Sequence, residues 1–492
     1  MFRLPPLEDR PHSVAMLGTE GTRLGQAIAP IAAEHPGTSG FHALSDGRDA
    51  FAARTLMADT AERCLDVQYY IWHADLAGRL LFDTLFRAAE RGVRVRLLLD
   101  DNNTNGLDLV LATLDAHPNI EVRLFNPFVN RKWRALGYLT DFSRLNRRMH
   151  NKSFTVDNQV TIIGGRNIGD EYFGSGAEVH FVDFDVMAIG PIVQEVSADF
   201  DRYWSSASSY PADRLLPPPT RKQRIRTRQK LTRTSFHPDA ARYGRTLAQQ
   251  AFVRELLSGQ LEFEWTDIRM VSDDPAKGLG LAAPLSIPQR LRETLGTPQF
   301  RFYLVSAYFV PTVAGVQFLQ RLAQSGVEIT VVTNSLEATD VAAVHAGYAK
   351  HRHALLQAGI RLYEVKRAFS GLSTRDRGLV GHSGSSLHAK TFSVDDNRTY
   401  IGSFNFDPRS AQLNTEMGFV IESPTLAGRI AAYLAEGLSD QAYQVQETSS
   451  GRLNWIECTV DGTRVHKRDP NASARRRVTV TLASLLPIEW LL

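Results

Sequence analysis

Displaced by 238 residues, the chain overlays itself. "HNKSFTVDNQVTIIGGRN", His150 to Asn167, falls on "HAKTFSVDDNRTYIGSFN", His388 to Asn405. Nine of the 18 aligned positions are identical, among them His150/His388, Lys152/Lys390, Asp157/Asp395, Gly164/Gly402 and Asn167/Asn405. Ordinary residue frequencies give roughly one identity by accident. Upstream, Tyr70 in "VQYYIW" meets Tyr308 in "VSAYFV" at the same offset, and "ERGVRVRLLLDD" matches "QSGVEITVVTNS" once four residues are allowed for. A repeat of this length means that one structural unit is built twice.

Each copy reads alike. An apolar strand (65–72; 302–310) leads to an amphipathic helix (78–91; 315–324), then a buried strand (93–99; 327–333) and a shorter one (121–125; 361–365). The repeated hairpin follows, then a strand ending near Pro191 or Pro424 and a long helix (192–205; 426–438). Strands alternating with helices, plus one hairpin, predict an α/β fold of two halves related by a pseudo-twofold, each a mixed β-sheet flanked by helices. The expected divisions are 1–210, a Pro-rich and basic connecting segment 211–295, and 296–492.

Within each hairpin the period of two places His150 and Lys152 on one face, and likewise His388 and Lys390. A pseudo-twofold is expected to bring both pairs into one cleft, with two imidazoles and two ammonium groups. One neutral imidazole then attacks an electrophile while the other, protonated, donates to the leaving group. Two Lys charges suit an anionic centre such as phosphate, and Asn167 and Asn405 add neutral donors toward phosphoryl oxygens. This chemistry requires no metal and no cofactor.

The motif acids read differently. Asp157 and Asp395 lie seven residues from their His, on the opposite face of an unbroken strand and at the hairpin turn, so they are expected to anchor the loop. Downstream, aligning Pro191 with Pro424 sets Asp183 opposite Glu416. A carboxylate there fixes the imidazole tautomer, each expected to serve the His of its own half, with Asp185 the alternative in the first.

"HNKSFTVD" and "HAKTFSVD" both fit H-x-K-x4-D, and the chain resembles the phospholipase D superfamily over roughly residues 40–440. "GGRN" and "GSFN" match the Gly-Gly/Ser and Asn that follow the motif there, which adds Gly165 and Ser403 to the implied substrate-binding residues. Within the superfamily, "HNKSFTVDNQVTIIGGRNIGDEYF" and "SGFHALSDGRDAFAARTLMADTAERCLDVQYYIW" look most like bacterial cardiolipin synthases of the C type. The resemblance implies phosphatidyl transfer to phosphatidylglycerol, from phosphatidylethanolamine or a second phosphatidylglycerol, through a phosphohistidine. It implies His150 as nucleophile and His388 as acid/base, with Lys152, Lys390, Asn167 and Asn405 on the phosphate. The alternatives are a phospholipase D-type hydrolase, a nucleic-acid phosphodiesterase, and a catalytically silent membrane-binding protein.

Charge and composition bear on partners. A net charge of +3 and no evident base-stacking platform argue against nucleic acid. Two cysteines exclude a disulfide framework and suit a reducing compartment. No apolar run reaches a membrane span, and the first residues lack a signal-peptide layout, so a peripheral protein of the inner (cytoplasmic) membrane is expected, a monomer sufficing for one active site. Residues 125–148 carry five aromatics with six Lys/Arg and one acid, read either as an interface with anionic phospholipid or as a packed segment. Residues 221–233 hold seven Lys/Arg and no acid, read as a solvated linker or an attraction to head groups. The apolar end "LASLLPIEWLL" is either docked or interfacial, and the Gly/Ser-rich stretch 369–386 reads as a mobile loop that gates the cleft.

Overall fold

The computed structural model describes residues 4–175, 181–281, 285–367, 386–459, 462–486 and 489–492. The chain divides into two compact units. The first holds 1–176, 184–287 and 413–418; the second holds 177–183, 288–412 and 419–492. Each unit therefore contains a short segment encoded in the opposite half of the sequence.

In the first unit three parallel strands, Cys64–Ile71, Arg94–Asn103 and Ile120–Phe125, lie side by side toward one edge of a nine-stranded mixed sheet. Parallel neighbours need a crossover, and the helix Leu76–Glu90 supplies the first one. Asp75 caps it by accepting from Gly78 N at 3.0 Å, and Leu81, Phe82 and Leu85 lie on its buried face. The opposite face of the sheet is covered by the helix Ile192–Trp204 through Val193, Val196, Phe200 and Trp204. Arg96 is buried between Asp66 (2.7 Å) and the ring of Phe200 (4.8 Å), so its charge is paired where it leaves water.

The motif hairpin, Ser153–Val156 and Val160–Gly164, pairs antiparallel with Cys64–Ile71. Its turn places Asp157 and Asn158 at φ 49° and 51°, a left-handed pair that Asp and Asn tolerate, within the three residues that separate the paired Val156 and Val160. Asp395 and Asp396 repeat it at 52° and 51°. The Asp157 carboxylate, fully buried, accepts from the backbone N–H groups of Glu62, Arg63 and Cys64 at 2.8–3.0 Å. Asp395 does the same for Gln299, Phe300 and Arg301.

The second unit repeats the plan with Arg301–Ser306, Glu328–Asn334 and Arg361–Val365 as its parallel strands and Thr312–Gln324 as crossover. It then departs: Ala442–Glu447, Leu453–Thr459 and Gly462–His466 extend the sheet antiparallel beyond Arg361–Val365. The helix Ala474–Ser484 packs through Val480 and Ala483 against Ala346, while Val478, Leu482, Leu485, Leu486 and Trp490 stay exposed. The apolar end is thus docked along one side and uncovered along the other.

Two expectations need correction. The basic run is not a loose linker: Arg221–Ser235 is a helix in the first unit, opened by a Thr220/Gln223 capping box. Arg228 reaches Glu90 at 2.8 Å and lies over Phe86, so the charges sit on a helix that packs by Thr227 and Leu231. The pairing of Tyr70 with Tyr308 is off by one. Leu65 opposes Val156 where Phe302 opposes Val394, and Ile71 N donates to Asn167 Oδ1 where Tyr308 N donates to Asn405 Oδ1. Ile71 is therefore the counterpart of Tyr308, and the matched tyrosines are a coincidence of composition. The stretch 369–385 lies outside the described residues.

Asp157→Ala leaves three backbone donors without their acceptor, and unfolding in urea should show a loss of about 2 kcal/mol. Asp157→Asn, which keeps one acceptor oxygen, should lose less.

Candidate active site

His150 leaves the segment before its hairpin at a point held from both sides. Asp100, fully buried at the end of Arg94–Asn103, accepts from Met149 N (2.8 Å) and pairs with Arg148 (2.9 Å). His150 N donates to Thr415 O and Thr415 N to Arg148 O, both at 2.9 Å. In the second unit Asn334 occupies the position of Asp100. It donates to Leu387 O (2.8 Å) and accepts from Leu387 N (3.0 Å), fixing the backbone just before His388. The sequence match of "LLLDD" to "VVTNS" already aligned these two residues, but nothing in that pattern reveals their role.

The imidazoles meet carboxylates in a crossed arrangement. His150 Nδ1 lies 2.8 Å from Glu416 Oε2, and His388 Nδ1 lies 2.6 Å from Asp183 Oδ2. The expected pairing of each His with the acid of its own half is therefore reversed. Residues 413–418 belong to the first unit and 177–183 to the second, which makes both bonds internal to a unit. Strand contacts explain the exchange: Met149 bridges Thr415, whereas Ser386 and Leu387 pair with Phe181 and Val182. Asp185, the alternative, is buried on Arg54 (2.9 Å) and Arg166, so it is spent on structure. Glu416 and Asp183 are almost fully buried. With each Nδ1–H donating to a carboxylate, Nε2 carries the lone pair of the neutral ring.

The Lys residues sit beside their His. Lys152 Nζ donates to His150 O and lies 5.7 Å from the centre of the Tyr70 ring, which meets the His150 imidazole edge-on at 5.0 Å. Lys390 Nζ donates to His388 O and lies 2.9 Å from its Nδ1. Asn167 is fully buried; its Oδ1 accepts from Ile71 N and its Nδ2 donates to the Tyr172 hydroxyl at 3.1 Å. It ties the motif to the neighbouring strand, and Asn405 does so through Tyr308 N. Gly165 N donates to Phe184 O at 3.1 Å, and Ser403 is fully buried. Gly164 is obligatory, because a Cβ there would stand 2.2 Å from Asp185 Oδ1.

Asp273 has no place in either motif, yet it holds Glu416. Its Oδ2 accepts from Glu416 N (3.1 Å) and Lys277 Nζ (2.7 Å), its N donates to Glu416 O (2.9 Å), and its Oδ1 accepts from Ile287 N (3.0 Å). Burial, reinforced by the Glu416 charge and opposed by Lys277, pushes the Asp273 carboxyl up to about 6. No spacing signal marks it.

Among the described residues two clusters have donors close enough for a metal ion, and neither contains a motif residue. In His345/Glu364/Asp469 the Arg352 guanidinium already bridges Glu364 (2.8 Å) and Asp469 (2.9 Å). In His73/Asp75/Glu171, His73 pairs with Glu171 at 3.1 Å while Asp75 caps a helix.

Two mixed sheets, each carrying a His-x-Lys strand with its imidazole on a buried carboxylate, define a phospholipase D-like protein with two motif copies. A family model described as "Cardiolipin synthase, PLD-like domain" matches residues 55–204 and 291–437. Cardiolipin synthase C of Escherichia coli strain K12 is 54% identical over 96% of this chain and all of its own. A Staphylococcus aureus cardiolipin synthase is 23% identical over 84% of this chain and 70% of its own. The crystal structure of phosphatidylserine synthase from Haemophilus influenzae Rd KW20 superposes with a TM-score of 0.58 at 12% identity, covering 96% of this chain and all of that one, which shows a shared fold. The chain belongs to the cardiolipin synthase family of phospholipase D-like proteins.

Because the Asp273 carboxyl ordinarily titrates at 3.8, the folded protein retains a proton between about 4 and 6 that the unfolded chain has released. Its contribution to stability is complete below 3.8 and is lost as pH rises through about 6. Thermal melts of wild type and Asp273→Asn should show the wild type losing ground to the variant as pH is raised from about 4 to about 7.

Proposed function

We propose that this protein is a phosphatidyltransferase that makes cardiolipin from phosphatidylglycerol and a second phospholipid, phosphatidylethanolamine or phosphatidylglycerol. The observation that carries the reading is that both motif imidazoles have a buried carboxylate on Nδ1, in a chain 54% identical, end to end, to a cardiolipin synthase. A catalytically silent relative would have no need to keep two such pairs.

The two pairs divide the work on one phosphodiester. His150 Nε2, with Nδ1–H donated to Glu416, attacks the phosphorus of the donor lipid. An N–P bond forms, the P–O bond to the head-group alcohol breaks, and His388 gives that alcohol its proton. Glu416 supports the charge that appears on the His150 ring. In the second step His388 takes the proton of a phosphatidylglycerol hydroxyl, whose oxygen displaces His150 and completes cardiolipin. Lys152 and Lys390 stabilise the added negative charge on the phosphoryl oxygens. Asn167, Asn405, Gly165 and Ser403 shape the backbone around the phosphate.

On this reading the protein meets the membrane at its surface; no helix among the described residues is long and apolar enough to cross one. The segment before His150 supports this. Trp133, Leu136, Leu139 and Phe142 are exposed on and beside the helix Arg134–Thr140, whereas Arg131, Arg134 and Arg144 are engaged with Asp101, Asp108 and Asp141. Within 125–148 Phe125, Phe128 and Leu145 are buried and these arginines are held on acids, while Trp133, Leu136, Leu139 and Phe142 face out, which supports contact of that edge with lipid. Insertion of that apolar edge into the head-group region, more than charge attraction, then drives docking.

With chelator present, purified enzyme in mixed phosphatidylglycerol and phosphatidylethanolamine vesicles should form cardiolipin; phosphatidic acid alone would mark a hydrolase and sink the reading. His150→Ala should abolish the phosphoenzyme trapped by rapid quench. His388→Ala should cut turnover about a thousandfold. Trp133→Ser with Leu139→Ser should weaken vesicle sedimentation roughly tenfold, and raising salt should do far less.

A further inference from the structure

The second unit contains an open cavity of about 560 Å³, lined almost entirely by apolar groups. That volume lies within the roughly 300–1,000 Å³ typical of ligand sites. It runs along the sheet between the helices Ile287–Leu295 and Thr312–Gln324, from Phe302 and Val394 toward Val310 and Phe406. Phe392 lies midway. Alternation along Lys390–Val394 puts Lys390, Phe392 and Val394 on one face, so the cavity lies along the strand face that carries the catalytic lysine. Its few polar lining residues include Arg292 and Gln289, both exposed.

The first unit fills the matching space. The loop anchors at Asp157 and Asp395 make Glu62 the counterpart of Gln299, which sets Phe51 opposite Pro288 and Arg54 opposite Leu291. The strand pairings set Tyr69 opposite Ser306, and the motif offset sets Phe173 opposite Ala411. In the first unit Phe51 packs edge-on against Phe173 (5.4 Å) and Tyr243 (5.3 Å), and Arg54 bonds the Tyr69 hydroxyl (2.8 Å) and Asp185. The second unit has Pro288, Ala411, Leu291 and Ser306 at those places. One plan, built twice, is filled at this place in one copy and hollow in the other, and the hollow copy lacks the Arg54–Asp185 pair as well as the bulk of Phe51 and Phe173.

We propose that this cavity receives an acyl chain of the phospholipid whose phosphate is handled at His388 and Lys390, an inference that rests on the transferase reading above. A long, flexible, uncharged chain matches a wall of phenylalanine, leucine and proline. The phosphate it is tethered to matches the lysine at the head of the same strand. The second unit would thus select a lipid by its chain, a role the first unit's packed face does not offer.

Ala411→Phe tests this, because it restores the residue that the first unit carries at the same place and should keep or raise the melting temperature. Wild type and variant are compared on dioleoyl and dihexanoyl phosphatidylglycerol. The variant should lose about tenfold in kcat/KM on the long chain and change less than about twofold on the short one. Independently, wild-type protein is irradiated with phosphatidylglycerol bearing a diazirine at the end of one acyl chain. Adducts are expected on peptides carrying Phe318, Phe392 or Phe406, suppressed by unlabelled dioleoyl lipid. Adducts confined elsewhere, or equal long-chain and short-chain losses in Ala411→Phe, would overturn the assignment. Adducts at those phenylalanines in an enzyme that forms no cardiolipin would support the cavity assignment and overturn the transferase reading alone.

Discussion

A carboxylate held out of water beside an imidazole is the constraint on which the catalytic arrangement depends. An ionised Glu416 with no exposed surface is tolerable only where a donor and fixed backbone surround it. The protein provides these as a chain of contacts, from Lys277 to Asp273, from Asp273 to both backbone groups of Glu416, and from Glu416 to His150. Asp183 is placed more simply. The carbonyl of the preceding Val182 accepts from His388 N and Ala389 N, so acid and imidazole are set by the same short strand pair. Neither half of the sequence contains a complete pair, because each acid is encoded in the half that does not carry its His. A half expressed alone would therefore carry an imidazole without its acid.

That exchange marks the boundary of what the sequence reveals. The two hairpins were legible because strand periodicity and repeated identity are local signals, and the Asp-Asn and Asp-Asp turns have the residues that a left-handed pair demands. The acids Asp183 and Glu416 were also legible as a matched pair. Their partners were not, since alignment gives equivalence of position and a hydrogen bond is decided by which strands meet. Asp100 and Asn334 show the same limit: the repeat aligned them, but only the backbone preceding each His reveals why an acceptor belongs there. Asp273 lay beyond reach altogether, since it stands outside the stretches whose letters repeat. The helix 221–235 escaped for another reason. It is polar on nearly every face, so no hydrophobic period announces it, although its capping box was present in the letters.

The Asp of each motif also takes a different place from the His and Lys it accompanies. Asp157 and Asp395 each gather three backbone N–H groups from the segment that opens the neighbouring strand. They lock the register of the hairpin against that strand, and with it the direction in which His and Lys project. A slip of one residue would turn both to the opposite face. The acid is thus far from the imidazole and still necessary to its aim, which reconciles a strict spacing with the absence of an acid–imidazole contact within the motif.

The asymmetry between the units follows from what each face has to hold. Below Lys152 the first unit stacks Tyr69, Arg54 and Asp185, a buried network that is rigid because every charge in it is paired. Below Lys390 the corresponding residues are Ser306 and Leu291, and Ala411 stands in the place of Phe173. An unfilled apolar volume forfeits packing, so leaving it open lowers stability. The same chain demonstrates that the plan accepts aromatic filling, since its first copy has it. A fold that can be packed and is left hollow in only one of its copies departs from local consistency at that place, and such departures are characteristic of sites that bind. The two halves share a motif for chemistry, and it is in the space behind the motif that they have parted.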